Sequence, residues 1–307
     1  MTTNLPATPD VSVIVVTYDC ADFVEGCLAS VREGTALVTE LVVADNASHD
    51  GTADVVRSFD PQALVVETGE NRGFAAGTNA ALELARGRHV LLLNPDAQLA
   101  PGTLDRLVAH LDADPGTGVV APRLLYPDGT EQRTARAFPT AAAAVFGRRS
   151  PLTRAFPNNP WSTRYLLPVA PDGPYAVDWV SGACLLVRRD VLDRAGGLDE
   201  GFFMHWEDAD LCHRVKDLGL RVVCDPTVTC THAEGGSRRG WPPAQVRAFH
   251  AGAYRYWSKH HARPGRDPRR VAVGAALACR AAAVVTRNSV SAARRRHTPA
   301  RHIVGDA

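Results

Sequence analysis

The stretch VSVIVVTYDCADFVEGCLASVRE, residues 11–33, decides the fold of this chain. It begins as a β-branched apolar run and continues directly as a segment with helical spacing. The alternation recurs up to about residue 120, with strands predicted at 11–18, 39–45, 63–68 and 88–94 and helices at 21–33, 50–59 and 74–86. Strands that helices cover on both faces are continuously apolar, so this pattern predicts a doubly wound, mostly parallel α/β sheet.

The composition is that of an ordinary globular protein. The 307 residues carry a net charge of +1, with 45% hydrophobic and 22% charged residues, so nucleic acid is not an expected partner. The seven cysteines include no C-x-x-C pair, which favours reduced thiols over disulfides or structural zinc. The N-terminal residues MTTNLPATPD do not resemble a signal peptide, and Arg280 interrupts the short apolar stretch 271–285. We therefore expect a cytoplasmic protein.

Polar side chains collect where the predicted strands end. They are Thr17, Tyr18 and Asp19 after the first strand, Asp45 and Asn46 after the second, and Asn94–Asp96 after the fourth. Each alone is compatible with loop or capping chemistry, as Ser48 or Asp50 can cap the next helix. Since ligands of open α/β sheets bind outside the carboxyl ends of the strands, the three positions together predict a binding site.

The usual phosphate-binding loops are absent from the sequence. No G-x-G-x-x-G follows the first strand, and the chain contains no Gly-Lys pair. A divalent cation on a strand-end carboxylate can hold phosphate instead, because hard cations bind carboxylate and phosphate oxygens together. Pro95 ends the strand and presents Asp96 at the sheet edge, although a simple turn aspartate explains this segment equally well.

The second half of the chain contains a cluster of acids after an aromatic loop. A strand at about 183–187 is followed by FFMHW at 202–206 and by a helix predicted from Glu207 to Leu218. Its first turn carries Glu207, Asp208 and Asp210. Helix capping explains acids there, but the apolar lead-in favours a carboxylate in an apolar wall, as in a general base. His232 ends the next apolar run, where it can approach Asp96; a structural histidine is the simpler alternative.

Six segments together resemble family-two glycosyltransferases of the GT-A fold. They are VSVIVVTYDCADFVEGCLASV, VVADNASHDGT, ENRGFAAGTNAAL, LLLNPDAQLAPG, GGLDEGFFMHWEDADLCHRVKDLG and THAEGGS, and they span about residues 10–260. Residues 94–96 are N-P-D where other members carry D-x-D, and in this the sequence resembles a bacterial rhamnosyltransferase-like branch of the family. The segments TARAFPT and FPNNPWSTRYL are typical of the same branch.

The resemblance implies roles for particular residues. It implies nucleotide contacts by Thr17, Tyr18, Asp19, Asp45, Arg72 and Asn94, with Asp45 accepting from the ring imide of the base. It implies that Asp96 and His232 hold Mg²⁺ or Mn²⁺ and that Asp208 is the catalytic base. Finally, it implies that the sugar and acceptor are bordered by Trp179, Ser181, Gly182, Ala183, Trp206 and Glu207. Two departures affect this site, since Asp19 replaces a common Asn and Asn94 replaces the first acid of D-x-D.

The implied activity is that of an inverting, metal-dependent glycosyltransferase. The leading donor is dTDP-rhamnose, and the leading acceptor is a polyprenyl-diphosphate-linked saccharide or a cell-wall glycan in bacterial polysaccharide or cell wall biogenesis. Two alternatives stay open. One is the same fold with a UDP- or GDP-sugar, and the other is a non-catalytic nucleotide-sugar-binding protein of a glycan assembly complex.

The predicted domain organisation follows from these segments. We expect a GT-A catalytic domain over 1–241, with a nucleotide half at about 10–120 and an acceptor half at about 121–241. A C-terminal helical extension follows at 242–290 and a basic, disordered tail at 291–307. The extension is interpreted either as a helix packed on the catalytic domain or as a basic, partly apolar surface that contacts the cytoplasmic leaflet peripherally.

Overall fold

The computed structural model describes residues 8–139, 155–156, 172–234 and 242–296, with side chains up to residue 289. They form two compact units. The first consists of the chain up to Phe203 together with Glu207–Gly236, and the second of Met204–Trp206 together with the chain from Ser237. Most of the predicted segment FPNNPWSTRYL lies outside the described residues.

The first unit contains a nine-stranded sheet and six of the named helices. Its strands are β1 Val11–Thr17, β2 Thr39–Asp45, β3 Leu64–Glu67, β4 His89–Leu93, β5 Ala97–Leu99, β6 Thr117–Leu125, β7 Tyr175–Val177, β8 Cys184–Arg188 and β9 Arg221–His232. Its helices are α1 Ala21–Gly34, α2 Thr52–Phe59, α3 Phe74–Leu82, α4 Thr103–Ala113, α5 Arg189–Ala195 and α6 Glu207–Asp217. The second unit contains α7 Pro243–His260 and α8 Arg269–Arg296.

The strands lie in the order β3-β2-β1-β4-β8-β6-β9-β5, with β7 also paired to β9. β3, β2, β1 and β4 are mutually parallel, as the apolar runs predict. Beyond β4 the sheet is mixed, because β8 is antiparallel to both β4 and β6 while β9 is parallel to β6. A buried strand is apolar along its length whichever way it runs, so its composition does not reveal this reversal.

Both faces of the sheet are covered, which explains the continuous apolar runs. Along β1, Val13 and Val15 belong to the core cluster that contains Leu28 of α1. Ile14, between them in sequence, belongs to the cluster on the other face with Ala81 of α3. Successive side chains of a strand point to opposite faces, so every residue of β1 is buried.

The second unit is built on aromatic contacts between the 204–206 segment and α7. The Trp206 ring lies 5.4 Å from that of Phe249 and 5.5 Å from that of Tyr256. His205 and Trp206 have positive φ angles of 69° and 80°, which residues other than glycine adopt only at a cost in conformational energy. The turn just before α6 is therefore strained and is held by packing.

Helix α8 is longer than the apolar stretch recognised in the sequence. Its segment Arg269–Ser289 has the length and composition of a membrane span, with a mean hydropathy of 1.2, and is not buried. The helix continues to Arg296, past the position where the disordered tail was expected to begin. The rest of the predicted tail, 297–307, lies outside the described residues.

Candidate functional site

The ends of several strands converge on one edge of the sheet. β8 is antiparallel to β4 and β6, and β9 is parallel to β6, so β9 runs in the same direction as β4. The carboxyl ends of β2, β4 and β9, marked by Asp45, Asn94 and His232, therefore share this edge. Because β8 runs the other way, the residues just before it, 181–183, reach the same edge.

Asp45 ends β2 and is 3% exposed. Its carboxylate accepts hydrogen bonds from Thr17 Oγ1 at 2.7 Å, Ser48 Oγ at 2.6 Å and Ser48 N at 2.9 Å. Thr17 is fully buried, and its hydroxyl group helps to orient the Asp45 carboxylate. A carboxylate has about four lone-pair positions, so one remains for a donor such as the imide of a base.

The loop after β1 is hydrogen-bonded to the loop after β2. Asp19, at a positive φ of 48°, donates its N–H to Ser48 Oγ at 3.0 Å and accepts from His49 N at 2.8 Å. Its carboxylate therefore organises the loops, which explains why an aspartate is useful at this position. Tyr18 beside it is 43% exposed, in contrast to the buried Thr17.

The loop after β3 packs against the segment that precedes α6. Arg72 forms a surface ion pair with Glu200 at 3.3 Å, with the two side chains 53% and 46% exposed. Phe74 N donates to Phe203 O at 2.9 Å, and a Cβ added to Gly73 would lie 2.2 Å from the same oxygen. The close contact between these two loops therefore requires glycine at position 73.

Asn94, Asp96 and His232 lie together at the centre of the edge. His232 Nε2 is 3.3 Å from Asp96 Oδ1 and 3.3 Å from Asn94 Nδ2. The antiparallel pairing of β5 with β9 sets Ala97 opposite His232, and Ala233 N donates to Asp96 O at 3.0 Å. Backbone pairing between segments more than a hundred residues apart therefore creates the proximity that was expected between Asp96 and His232.

Two hydrogen bonds connect this cluster to Asp208. Asn94 N donates to Ala183 O at 2.9 Å, which joins the N-P-D turn to the segment before β8. In the same segment, Gly182 N donates to Asp208 Oδ2 at 3.0 Å. A Cβ on Gly182 would lie 3.4 Å from the Asp208 Cβ, which is van der Waals contact, so the two residues are immediate neighbours. The sequence-predicted cation residues and the sequence-predicted base thus belong to one connected cluster.

Burial sets the electrostatic state of Asp208. Removal of its carboxylate from water raises its pKa, against the opposing effects of the hydrogen bonds from Gly182 N and Ala209 N and the charge of Arg136. A carboxylate with a raised pKa is a stronger base than an ordinary aspartate. The position is therefore suited to accept a proton from a hydroxyl group.

The neighbouring acids of α6 differ from Asp208 in their surroundings. Asp210 is fully buried and forms an ion pair with Arg214 at 2.8 Å, and Arg214 also donates to Gly197 O at 2.8 Å. This pair attaches α6 to the turn after α5, which is a structural role. Glu207 is also buried, with 6% of its surface exposed.

The sequence analysis missed Gln132 and Arg136, which contact the site from the segment after β6. Gln132 is hydrogen-bonded to His232 by both ends of its amide. Arg136 pairs with Trp179 through backbone bonds in both directions, and its guanidinium lies 5.2 Å from the Trp179 ring centre. Arg136 belongs to the TARAFPT segment, but the sequence carries no local signal of these long-range partners.

The residues predicted to border the sugar and acceptor are divided between the two units. Ser181, Gly182 and Ala183 adjoin Asp208 and Asn94, as described above, and the Trp179 indole donates to Ala137 O at 3.0 Å. Trp206 packs within the second unit. The functions of all these residues stay predictions.

The donors at the edge fit a divalent cation that is completed by its substrate. Within the described parts of the chain, no group of three or more His, Cys, Asp and Glu side chains has the arrangement of a metal site. Asp96 and His232 supply a carboxylate oxygen and an imidazole nitrogen 3.3 Å apart. Mg²⁺ and Mn²⁺ sites of phosphate-transferring proteins commonly use few protein ligands and complete the shell with phosphate oxygens and water.

Comparison with known proteins shows the family of the chain. The family model described as Glycosyl transferase family 2 matches residues 12–195. The N-acetylglucosaminyl-diphospho-decaprenol L-rhamnosyltransferase of Mycobacterium tuberculosis is 32% identical over 295 residues, which cover 92% of this chain and 95% of that protein.

Two solved structures share the fold. The mannosyltransferase PcManGT from Pyrobaculum calidifontis, in complex with GDP-Man and Mn²⁺, is 26% identical with a TM-score of 0.58, and the match covers 96% of this chain and 82% of that chain. GalNAc-T7 with UDP, GalNAc and Mn²⁺ is 14% identical with a TM-score of 0.56, over 82% of this chain and 50% of that chain, and shows the fold alone. The predicted GT-A fold and glycosyltransferase class are confirmed.

Substitution of Gly73 tests the contact between the two loops. Gly73→Ala places a methyl group against Phe203 O at a φ of +92°, so we expect it to lower the free energy of unfolding by more than about 2 kcal/mol. Gly51→Ala is the matched control, because Gly51 has a φ of +85° and no atom within 4 Å of the added Cβ. Urea denaturation measures the free energy of unfolding of both variants. Equal losses of stability in Gly73→Ala and Gly51→Ala would contradict the contact with Phe203 O.

Proposed function

The chain belongs to glycosyl transferase family 2, and we propose that it transfers rhamnose from dTDP-rhamnose to a lipid-linked saccharide acceptor, with inversion at the anomeric carbon. The observation that carries the proposal is the hydrogen-bonded connection from the Asp96–His232 pair through Asn94, Ala183 and Gly182 to Asp208. This connection supports the proposal, because the reaction needs a group that holds the diphosphate and, close to it, a group that takes the proton of the acceptor.

The choice of donor and acceptor rests on similarity. The mycobacterial relative, at 32% identity over nearly the whole of both chains, is named as a rhamnosyltransferase acting on a decaprenyl-diphosphate-linked N-acetylglucosamine. The N-P-D motif and the TARAFPT segment point to the same branch. PcManGT was solved with GDP-Man, so a GDP- or UDP-sugar is the alternative that the binding experiment below decides.

In the proposed reaction Asp208 acts as the general base. The acceptor hydroxyl attacks the anomeric carbon from the face opposite the leaving nucleoside diphosphate, and Asp208 takes its proton. One carboxylate is sufficient, because no covalent enzyme intermediate is formed. Gly182 N and Ala209 N, at 3.0 and 2.7 Å, hold the two carboxylate oxygens in place while the proton is transferred.

Asp96 and His232 are the residues that would hold Mg²⁺ or Mn²⁺. When bound there, the cation neutralises the negative charge that grows on the departing diphosphate. Asp45 would accept the imide N–H of the base through its remaining lone pair, and Thr17 and Ser48 keep its carboxylate oriented. The other proposed nucleotide contacts are Tyr18, Asp19, Arg72 and Asn94.

Helix α8 provides the proposed contact with a membrane surface. Its residues 269–296 include seven arginines and no acid, and the side of α8 that faces away from α7 exposes Ala and Val side chains, with Val271 78% exposed. An anionic phospholipid bilayer matches both properties, because it attracts arginine and accepts apolar side chains at its interface. Arg280 lies inside the apolar stretch, which favours a helix on the surface over a helix that spans the bilayer.

Nucleotide binding tests the cation site and the donor together. Calorimetric titration with dTDP, UDP and GDP, each with and without Mn²⁺, is expected to give the tightest binding for dTDP with Mn²⁺ and a loss of at least about tenfold in Asp96→Ala. Asp54→Ala, which removes an 87% exposed acid, is the control and should bind like the wild type. Nucleotide binding that depends on neither the metal nor Asp96 would contradict the proposed cation site. Tighter binding of UDP or GDP than of dTDP would refute dTDP-rhamnose as the donor.

Substitution of Asp208 tests the base. Asp208→Asn should lower kcat by about 10²- to 10⁴-fold and leave dTDP binding unchanged, because the side chain acts on the acceptor proton. Asp210→Asn should instead lower the melting temperature, since it breaks the buried pair with Arg214. Retained sugar transfer in Asp208→Asn would exclude Asp208 as the base. A wild-type chain that binds no nucleotide would favour a different function.

The pH dependence of the wild type follows from the raised pKa of Asp208. The base must be ionised, and it becomes protonated as the pH falls through its folded-state pKa. The acidic limb of kcat is therefore expected at a pH above that of an ordinary aspartate, about 3.9. A limb at or below this value would show that Asp208 is not the titrating group.

Vesicle binding tests the membrane contact. The full chain should sediment with vesicles of phosphatidylcholine and phosphatidylglycerol and not with pure phosphatidylcholine. Charge reversal by Arg280→Glu together with Arg287→Glu should weaken this binding by at least about tenfold. The same reversal of Arg57 and Arg194, on α2 and α5, is the control with equal charge. Equal binding to both vesicle types would contradict an anionic lipid surface.

A further inference from the structure

Gln132 forms two hydrogen bonds to His232, and neither residue type nor spacing in the sequence anticipates them. The side chain is 2% exposed and reaches across from the segment after β6. Its Nε2 donates to His232 O at 2.5 Å, and its Oε1 lies 3.0 Å from His232 Nδ1. The backbone N–H of Gln132 donates to Leu124 O at 2.9 Å, which anchors the residue to the end of β6.

These contacts determine which way the amide of Gln132 faces. An amide nitrogen only donates and an amide oxygen only accepts, so the end near a carbonyl must be the nitrogen. Two carbonyl oxygens lie on that side, those of His232 at 2.5 Å and Leu125 at 3.4 Å. The oxygen therefore faces His232 Nδ1, and Nδ1 must carry a proton to make the bond.

The fixed amide in turn determines the direction of the imidazole lone pair. With the proton on Nδ1, the neutral ring has its lone pair on Nε2. Nε2 is the atom that lies 3.3 Å from both Asn94 Nδ2 and Asp96 Oδ1. Asn94 Nδ2 is a donor, which agrees with a lone pair on Nε2. The lone pair and the carboxylate oxygen therefore face the same place.

We propose that Gln132 is a positioning residue that holds His232 as the Nδ1–H tautomer, so that Nε2 and Asp96 together can bind a divalent cation. The part that concerns the cation rests on the function proposed above. The part that concerns the tautomer does not, because it follows from hydrogen bonds within the chain. A purely structural role, in which Gln132 only ties the turn after β6 to β9, would leave the tautomer unaffected.

The tautomer can be measured directly in the metal-free full chain. Long-range ¹H–¹⁵N NMR correlation distinguishes a protonated from an unprotonated imidazole nitrogen, and we expect His232 Nε2 to be unprotonated in the neutral ring. Gln132→Leu removes both bonds and should shift the ring toward the Nε2–H tautomer. Gln132→Glu retains an acceptor for Nδ1–H and should keep the wild-type tautomer. Gln98→Leu, on the exposed side of β5, is the matched control.

Binding of Mn²⁺ alone, followed by the paramagnetic resonance of free Mn²⁺, provides the second readout. Gln132→Leu should weaken Mn²⁺ binding by about 10- to 100-fold, and Gln132→Glu should retain it. A wild-type ring protonated at Nε2 would overturn the proposal even if the leucine variant does not fold. A leucine variant that loses thermal stability but keeps both the tautomer and Mn²⁺ affinity would overturn it as well. If His232 has the Nδ1–H tautomer but the chain transfers no sugar, the proposed function is refuted and the proposal about the tautomer is not.

Discussion

The antiparallel insertion of β8 beside β4 is the constraint on which the site depends. The register sets Leu93 opposite Cys184, so the chain just before β8 meets the N-P-D turn just after β4. If β8 ran parallel to β4, residues 181–183, which precede it, would lie at the opposite edge of the sheet. The reversal therefore brings Gly182, and with it Asp208, to the edge where the parallel strands end. The backbone N–H groups of Asn94 and Gly182 thereby link the proposed cation site to the proposed base.

The three acids at the start of α6 show how burial and partners divide one sequence motif into different roles. Asp210 has a cationic partner and is buried as an ion pair, which stabilises the attachment of the helix. Asp208 accepts N–H groups at both oxygens, yet desolvation still raises its pKa. Composition alone favours helix capping for all three and does not predict the ion pair of Asp210 or the raised pKa of Asp208. The environment supplied by distant segments distinguishes the proposed base from its neighbours.

Local pattern predicted the first half of the molecule well, and long-range contacts explain where it failed. β1, β2 and α1 begin where the apolar and helical patterns begin. α3 was predicted to reach residue 86 but ends at Leu82. Beyond it, Arg86 N and Gly87 N donate to the side chains of Glu40 and Ser12, acceptors that no helical pattern can reveal.

In the candidate site too, local sequence patterns predicted some residues, and long-range contacts explain those that were missed. Asp45, Asp96 and His232 were predicted from the sequence because they stand at strand ends and match family segments, and Asp208 was predicted because it matches such a segment at the start of α6. β5 was missed because three residues carry no periodicity, although its pairing with β9 brings Asp96 to His232. Gln132 was missed for a related reason, since its partner lies 100 positions away and the contact is created by the fold.

The central claim is that the edge formed by β4, β5 and β9 binds a divalent cation together with a nucleoside diphosphate. A crystal of the full chain grown with dTDP and Mn²⁺, measured for the anomalous scattering of manganese, tests it most directly. The account predicts one manganese peak in contact with Asp96, His232 Nε2 and oxygens of the diphosphate. A nucleotide bound at this edge without manganese, or manganese held by other residues, would contradict it.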